Sequence, residues 1–242
     1  MTEIVLALHF LTRIPVPLKR EFPAQDWARS MAWYPLVGLL VGFCLAAGQS
    51  LMMRLWASDL VAVLTLAIWV GLTGGLHLDG FVDCCDALPA ALPPERRLEI
   101  LRDVHVGTYG VVGAVLLLAL KALSIRSVDW SGLALAPVLG RWAMVVVTLL
   151  FPSARPSGLG KAFKDHVGKR ELIIATGTAL LAVILLGQFV GLAMMGIGFA
   201  IAYILGLWSA RQLGGGITGD VYGFICEVVE LSVMLVWIAI RP

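Results

Sequence analysis

Charge is scarce in this chain of 242 residues: Asp, Glu, Lys and Arg together make up 14% of it, against 60% hydrophobic residues. A soluble domain carries about a quarter charged and about half apolar residues. Together with a mean hydropathy of +0.92, the shortage excludes a disordered protein, a nucleic-acid-binding domain and an ordinary soluble globule. The net charge of +2 supplies no bulk field for an acidic partner. Cysteine is equally sparse. Cys44 and Cys226 lie in apolar stretches and Cys84 and Cys85 are adjacent, so neither a disulfide framework nor a zinc site is expected. Met1–Pro17 lacks the marks of a cleavable signal peptide: it opens on Glu3, its apolar run is short, and Arg13-Ile-Pro-Val-Pro17 follows. There is no internal repeat, no low-complexity linker, no Walker A sequence and no Ser-His-Asp pattern.

What the chain does have is long apolar runs. A bilayer core about 30 Å thick needs roughly 20 apolar residues per helix. The runs predict an all-α, polytopic membrane helix bundle of about seven spans: Met31–Met53, Leu60–Leu76, Gly107–Ile125, Ser131–Phe151, Leu172–Gly187, Val190–Trp208 and Gly223–Ile240. The fifth and sixth meet at a tight Gly187-Gln188-Phe189 turn. The 26 glycines suit helices that approach closely in lipid. Thirteen Lys and Arg residues, among them Lys19 and Arg20, fall on the N-terminal side of these spans and three on the other. The asymmetry predicts a cytoplasmic N-terminus and an outside C-terminus. Residues 1–242 read as one transmembrane catalytic domain. Within it, 1–30 form a cytoplasmic or interfacial segment, and 77–106 and 209–222 form cytoplasmic active-site loops.

Three polar constellations share that face. In Gly74-Gly75-Leu-His77-Leu-Asp79-Gly-Phe-Val-Asp83-Cys-Cys-Asp86 the carboxylates are spaced by four and three residues, which puts them on one side of a helix. Stacked acids repel, and a hard divalent cation such as Mg²⁺ or Mn²⁺ relieves the repulsion. Gly74 and Gly75 offer bare backbone to a ligand, and His77 is read either as a donor to a phosphate oxygen or as a general base. Arg102, Asp103 and His105 precede Gly107 and Gly110, at a helix entry whose N–H groups can hold an anion. The third constellation is Arg211-Gln-Leu-Gly214-Gly215-Gly216-Ile-Thr218-Gly-Asp220, followed by Glu227 and Glu230. Its glycines can wrap a phosphate. Acids inside an apolar span point to function, or else to pairing with Arg141 or Lys121. The basic stretch Arg155–Arg170 reads chiefly as topology signal and headgroup contact, with Lys161 or Lys164 on a substrate phosphate as the sharper alternative. Clustered carboxylates, a glycine-rich loop and nearby cations suit metal-dependent phosphoryl transfer, and residue chemistry goes no further.

The strings Thr12-Arg-Ile-Pro15-Val, Gly74-Gly-Leu-His-Leu-Asp-Gly80 with Asp83 and Asp86, Asp103-x-x-x-Gly107-Thr-Tyr-Gly110 and Gly215-Gly-x-Thr218-Gly-Asp220-x-x-Gly223 resemble, in order and rough spacing, the cobalamin synthase family (adenosylcobinamide-GDP ribazoletransferase). The resemblance implies that adenosylcobinamide-GDP is joined to α-ribazole, or to its 5′-phosphate, with release of GMP and in the presence of Mg²⁺. On that basis Asp79, Asp83, Asp86 and Asp220 are expected to hold the metal and, with His77, to be catalytic. Arg13, Gly74, Gly75, Arg102, Asp103, His105, Gly215, Gly216, Thr218, Glu227 and Glu230 are expected to bind substrate. The chain departs from the family at His105, where Arg is usual, at Ala87, where Gly is usual, and at Cys84-Cys85. A multi-pass protein of a bacterial or archaeal cytoplasmic (inner) membrane follows. Its active site faces the cytoplasm, with the bilayer and two small-molecule substrates as partners and no nucleic acid. Room is left for a homo-oligomer or for association with other cobalamin-assembly enzymes. Two rival readings stand beside this one. A CDP-alcohol phosphotransferase-like lipid headgroup transferase would carry an Asp-x-x-Asp-Gly-x-x-Ala-Arg run, which is absent. An ion-coupled transporter would use Glu227, Glu230 and Arg141 but would not need the acidic edge.

Overall fold

The computed structural model describes residues 2–18 and 21–241; Lys19 and Arg20, two of the cations counted for topology, lie outside the described residues. Among the described residues there are twelve α-helices, and the only β interaction is an isolated parallel bridge between Ser153 and Ile217. The helices are α1 (Thr2–Leu11), α2 (Ala24–Ser30), α3 (Tyr34–Met52), α4 (Ser58–Thr73), α5 (Leu76–Ala87), α6 (Pro94–Ile100), α7 (Thr108–Ser127), α8 (Trp130–Leu150), α9 (Leu159–His166), α10 (Lys169–Ala182), α11 (Gln188–Gln212) and α12 (Gly219–Ile240).

The centre of the bundle is α8. Asp129 caps its start, accepting from the Ser131 and Gly132 N–H groups at 2.9 Å, and every residue from Ser131 to Thr148 is buried. Close contact with α3 is possible because Gly38 and Gly42 lie directly on the backbone of Pro137 and Ala134. Such small-residue seams let helices pack tightly where lipid supplies no hydrophobic drive. The outer helices invert the pattern of a soluble protein: Val115, Leu116 and Leu123 on α7 and Ile173, Leu181 and Leu185 on the α10 side are exposed. An apolar exterior of this extent suits hydrocarbon.

Five helical runs among the described residues are long and apolar enough to cross a membrane, or six when α4 and α5 count as one broken crossing. The longest run, Lys169–Gln212, has 44 residues and would be about 66 Å long if straight, twice the hydrocarbon core. It is not straight. Gln188 takes φ 52°, and a Cβ on Gly191 would sit 2.8 Å from the Val183 carbonyl oxygen. The chain therefore doubles back near the predicted Gly187-Gln188-Phe189 turn, with a π-helical last turn over Val183–Gly187.

Several expectations change in detail. The span written as Leu60–Leu76 stops at Thr73, because Gly74 and Gly75 adopt φ of 65° and 69°, a left-handed conformation that glycine reaches without penalty. The next helix departs at 95°. Residues 77–106 are consequently not one loop, since α5 and α6 occupy much of the segment. The loop at 209–222 shrinks to Leu213–Thr218. The N-terminal segment folds back: Leu6, Ala7 and Leu11 of α1 are fully buried.

Candidate active site

The bend at Gly74-Gly75 lays α5 across the entry of α12, and two glycines set how close they come. A Cβ on Gly80 would lie 2.6 Å from the Asp220 carbonyl oxygen, and one on Gly223 would lie 2.9 Å from the His77 carbonyl oxygen. With hydrogen at both positions the backbones touch. This brings Asp79 of α5 and Asp220 of α12 to one cavity of about 230 Å³, which His77, Gly80, Thr218, Gly219 and Gly223 also line. Asp83, one turn beyond Asp79, is half-buried and lies within electrostatic reach of Asp79, Asp86 and Asp220.

The adjoining wall comes from the basic stretch. Arg155 and Lys161 line the cavity together with Gly158, Leu159 and Gly160, where α9 begins and its first N–H groups have no helical acceptor. Main-chain bonds place this wall: Ala154 N donates to Ile217 O and Ile217 N to Pro152 O, both at 2.9 Å. Arg155 then reaches Asp220 at 3.0 Å and donates to Leu101 O at 3.0 Å. Thr218 Oγ1 donates to Asp220 at 3.1 Å. Lys161 pairs with Asp165 one helical turn on, at a partly exposed site. Lys164 turns away and donates to Leu149 O at 2.8 Å, and burial holds its ammonium below the ordinary lysine value. Phe10, Met31, Tyr34, Met144 and Phe163 complete the cavity with apolar surface. The sequence reading treated Arg155 only as topology signal and left Lys161 secondary, because a run of cations beside a span looks the same in either role. The spacing Gly158-Leu-Gly160-Lys161, with the lysine in the first turn of a helix, was the available clue.

Other expected site residues are elsewhere. Asp86 points at α7, accepting from Gly107 N and Gly110 N at 2.8 Å each. The anion expected at that helix start is the chain's own carboxylate. Both Asp86 oxygens are thus engaged at the start of α7, and Asp86 does not line the cavity. Glu227 and Glu230 do not line the cavity. Lys121 donates to both, Arg141 pairs with Glu230, and Lys121 stands 4.4 Å above the Trp69 ring. Two cations and two carboxylates thus neutralise one another inside the bundle, the pairing that the sequence offered as the alternative. Arg141 also meets His77 Nδ1 at 3.3 Å.

Gly74 and Gly75 turn the chain rather than line the cavity, and the Arg13 side chain packs over Gly74. Arg13 borders a neighbouring groove with His9 and Thr12. Gly215 and Gly216 form the turn that meets residues 152–154, where a Cβ on Gly216 would strike the Ala154 nitrogen at 2.6 Å. Of that loop only Thr218, Gly219 and Asp220 reach the cavity. Asp103 and His105 pair with each other at 2.7 Å on the surface, and that hydrogen bond holds the Asp103 carboxyl below its usual range. Arg102 shares this exposed loop.

Among the described residues no three or more His, Cys, Asp or Glu side chains form a ready-made metal cage. The donor chemistry nonetheless fits a hard ion. Mg²⁺ usually takes one or two carboxylates together with substrate phosphates rather than an all-protein cage, and Asp79, Asp83 and Asp220 are oxygen donors gathered at one edge.

The family model described as Cobalamin-5-phosphate synthase matches residues 3–238. An adenosylcobinamide-GDP ribazoletransferase of Herpetosiphon aurantiacus is 37% identical, covering 95% of this chain and 93% of its own. One of Deinococcus radiodurans is 40% identical, with 95% and 82% covered. One of Thiobacillus denitrificans is 38% identical, with 97% and 94% covered. No solved structure matches. A match running from α1 through α12, with both walls of the cavity inside it, shows that the chain belongs to the Cobalamin-5-phosphate synthase family.

Proposed function

We propose that this cavity joins adenosylcobinamide-GDP to α-ribazole, or to α-ribazole 5′-phosphate, and releases GMP. The observation that carries the reading is the meeting of an acidic wall, Asp79 and Asp220 with Asp83 behind, with Arg155, Lys161 and the start of α9 around one open volume. A diphosphate ester needs both: cations and N–H groups for its oxygens, and carboxylates for the metal that accompanies it. The ribazole hydroxyl oxygen attacks the cobinamide-linked phosphorus. The bridging P–O bond breaks, GMP leaves with the bridging oxygen, and the hydroxyl proton passes to a carboxylate of the acidic wall. Bound Mg²⁺ would neutralise charge on the phosphoryl oxygens, and Asp79, Asp83 and Asp220 would hold it. Arg155 fixes Asp220 and adds a positive charge beside it. Lys161 and the N–H groups of residues 159–161 orient the diphosphate, and the apolar side of the cavity excludes water. The site faces the cytoplasm of a bacterial or archaeal cell in this proposal, because the thirteen-to-three bias of Lys and Arg lies on its side of the bundle.

The test is GMP release by the purified protein in liposomes supplied with adenosylcobinamide-GDP, α-ribazole and Mg²⁺, with EDTA as control. Metal-dependent GMP release is expected. A folded protein that releases none, yet turns over a CDP-lipid, overturns the reading.

A further inference from the structure

His77 sits in the first turn of α5, only 2% exposed, and its Nε2 has no hydrogen-bond partner although the residue lines the cavity. Its other nitrogen, Nδ1, lies 3.3 Å from Nη2 of Arg141. A guanidinium has donors and no acceptor, so the Nδ1 facing it must present a lone pair. A neutral imidazole carries one N–H, and that hydrogen is then on Nε2. An imidazolium would set a second N–H against the guanidinium with no acceptor between them. Arg141, 1% exposed in the middle of α8, cannot swing away, because Glu230 on α12, itself fully buried, pairs with its other end. Glu230 is anchored in turn by Lys121 of α7. The groups of α7, α8 and α12 that face the ring through this chain are charge-balanced, two cations against Glu227 and Glu230.

We propose that the buried Glu230–Arg141 pair locks His77 in its Nε2–H tautomer and makes it a neutral hydrogen-bond donor to a phosphoryl oxygen in the cavity, not a general base. Arg141 is the positioning residue and touches no substrate. The proposal rests on the phosphoryl-transfer reading for the identity of the acceptor, whereas the tautomer follows from the substrate-free geometry alone. It also settles the choice between donor and base that the sequence left open. A buried donor without an acceptor marks a place where a ligand supplies one, and a preorganised donor of this kind typically contributes 10²–10³-fold to turnover.

The experiment uses full-length protein in detergent micelles with ¹⁵N-labelled histidine rings. The chain has four histidines, and loss of one set of signals in His77→Gln assigns residue 77. The expected spectrum shows Nε2 protonated and Nδ1 unprotonated, and the Nε2 proton resonance moves when inorganic diphosphate and Mg²⁺ are added. Arg141→Lys, which keeps a donor-only cation, is expected to keep the tautomer, and Arg141→Met to lose it. In the GMP assay, His77→Gln, which keeps an N–H donor at a similar reach, is expected to stay within about tenfold of wild type, while His77→Leu falls by about 100-fold or more. A protonated Nδ1, an Nε2 proton that ignores diphosphate, or a Gln variant as inactive as the Leu variant overturns the proposal. Absence of GMP release by the wild type alone overturns the assigned function and leaves the tautomer assignment to be decided by the spectrum.

Discussion

The bundle holds two sets of acids that look alike in sequence and behave oppositely in the fold. Asp79, Asp83 and Asp220 stand at an open edge, and among the described residues only Asp220 of the three has a cationic partner, Arg155. Glu227 and Glu230, about two and three turns deeper along α12 than Asp220, are closed in by Lys121 and Arg141. Depth decides the difference. An unpaired carboxylate surrounded by apolar helices is expensive, so it is tolerated only with a cation in contact. At the edge, water screens the charges until a ligand replaces it. The same residue type is thus chemistry at one level and internal ballast at the next.

Asp83→Asn sharpens the contrast most. It is expected to lower GMP release by about 10³-fold, the size of effect seen when a preorganised electrostatic group is lost, with the unfolding temperature unchanged. Near-normal turnover would remove Asp83 from the site. Glu230→Leu should act first on stability. It leaves Arg141 buried without its carboxylate, and about 3–5 kcal/mol of stability should disappear in a thermal or denaturant melt. An unchanged melting temperature would mean that the pair is not closed off from water. On the basic wall, Lys161→Ala is expected to reduce kcat/KM about tenfold, the loss of one charged hydrogen bond of roughly 1.4 kcal/mol, whereas Lys164→Ala leaves it unchanged because that ammonium is spent on Leu149 O. Equal effects would dissolve the distinction between the two lysines. Asp86→Ala should be mildest, removing the cap of α7 for about 1 kcal/mol with turnover reduced less than tenfold. Inactivation matching that of Asp83→Asn would return Asp86 to the metal set.

Much of the architecture was legible in the sequence, for a physical reason: lipid leaves few alternatives to long apolar helices, so the runs beginning near Met31, Gly107 and Ser131 could hardly be anything else. The reversal at Gln188 was also visible, whereas the span read as Leu60–Leu76 ran straight through the break at Gly74-Gly75. The spacing of Asp79 and Asp83 placed them on one helix face, and that face does meet the cavity edge. What could not be read was which partner each acid finds. Asp86 lies three residues from Asp83 yet faces α7, since a full turn is 3.6 residues and the crossing angle of two helices decides which neighbour is met. The pairing of Lys121 with Glu227 and Glu230 spans more than a hundred positions, and the sequence could offer it only as one of two alternatives. Arg155 and Gly223 were missed because their importance comes from contacts made only after α12 docks on α5.

The short bridge between Ser153 and Ile217 ties the loop that carries Arg155 to the start of the helix that carries Asp220. Those two charges are therefore spaced by main-chain bonds when the protein folds, before any substrate arrives. In the proposed reaction, that pair of charges would need no rearrangement when a diphosphate arrives.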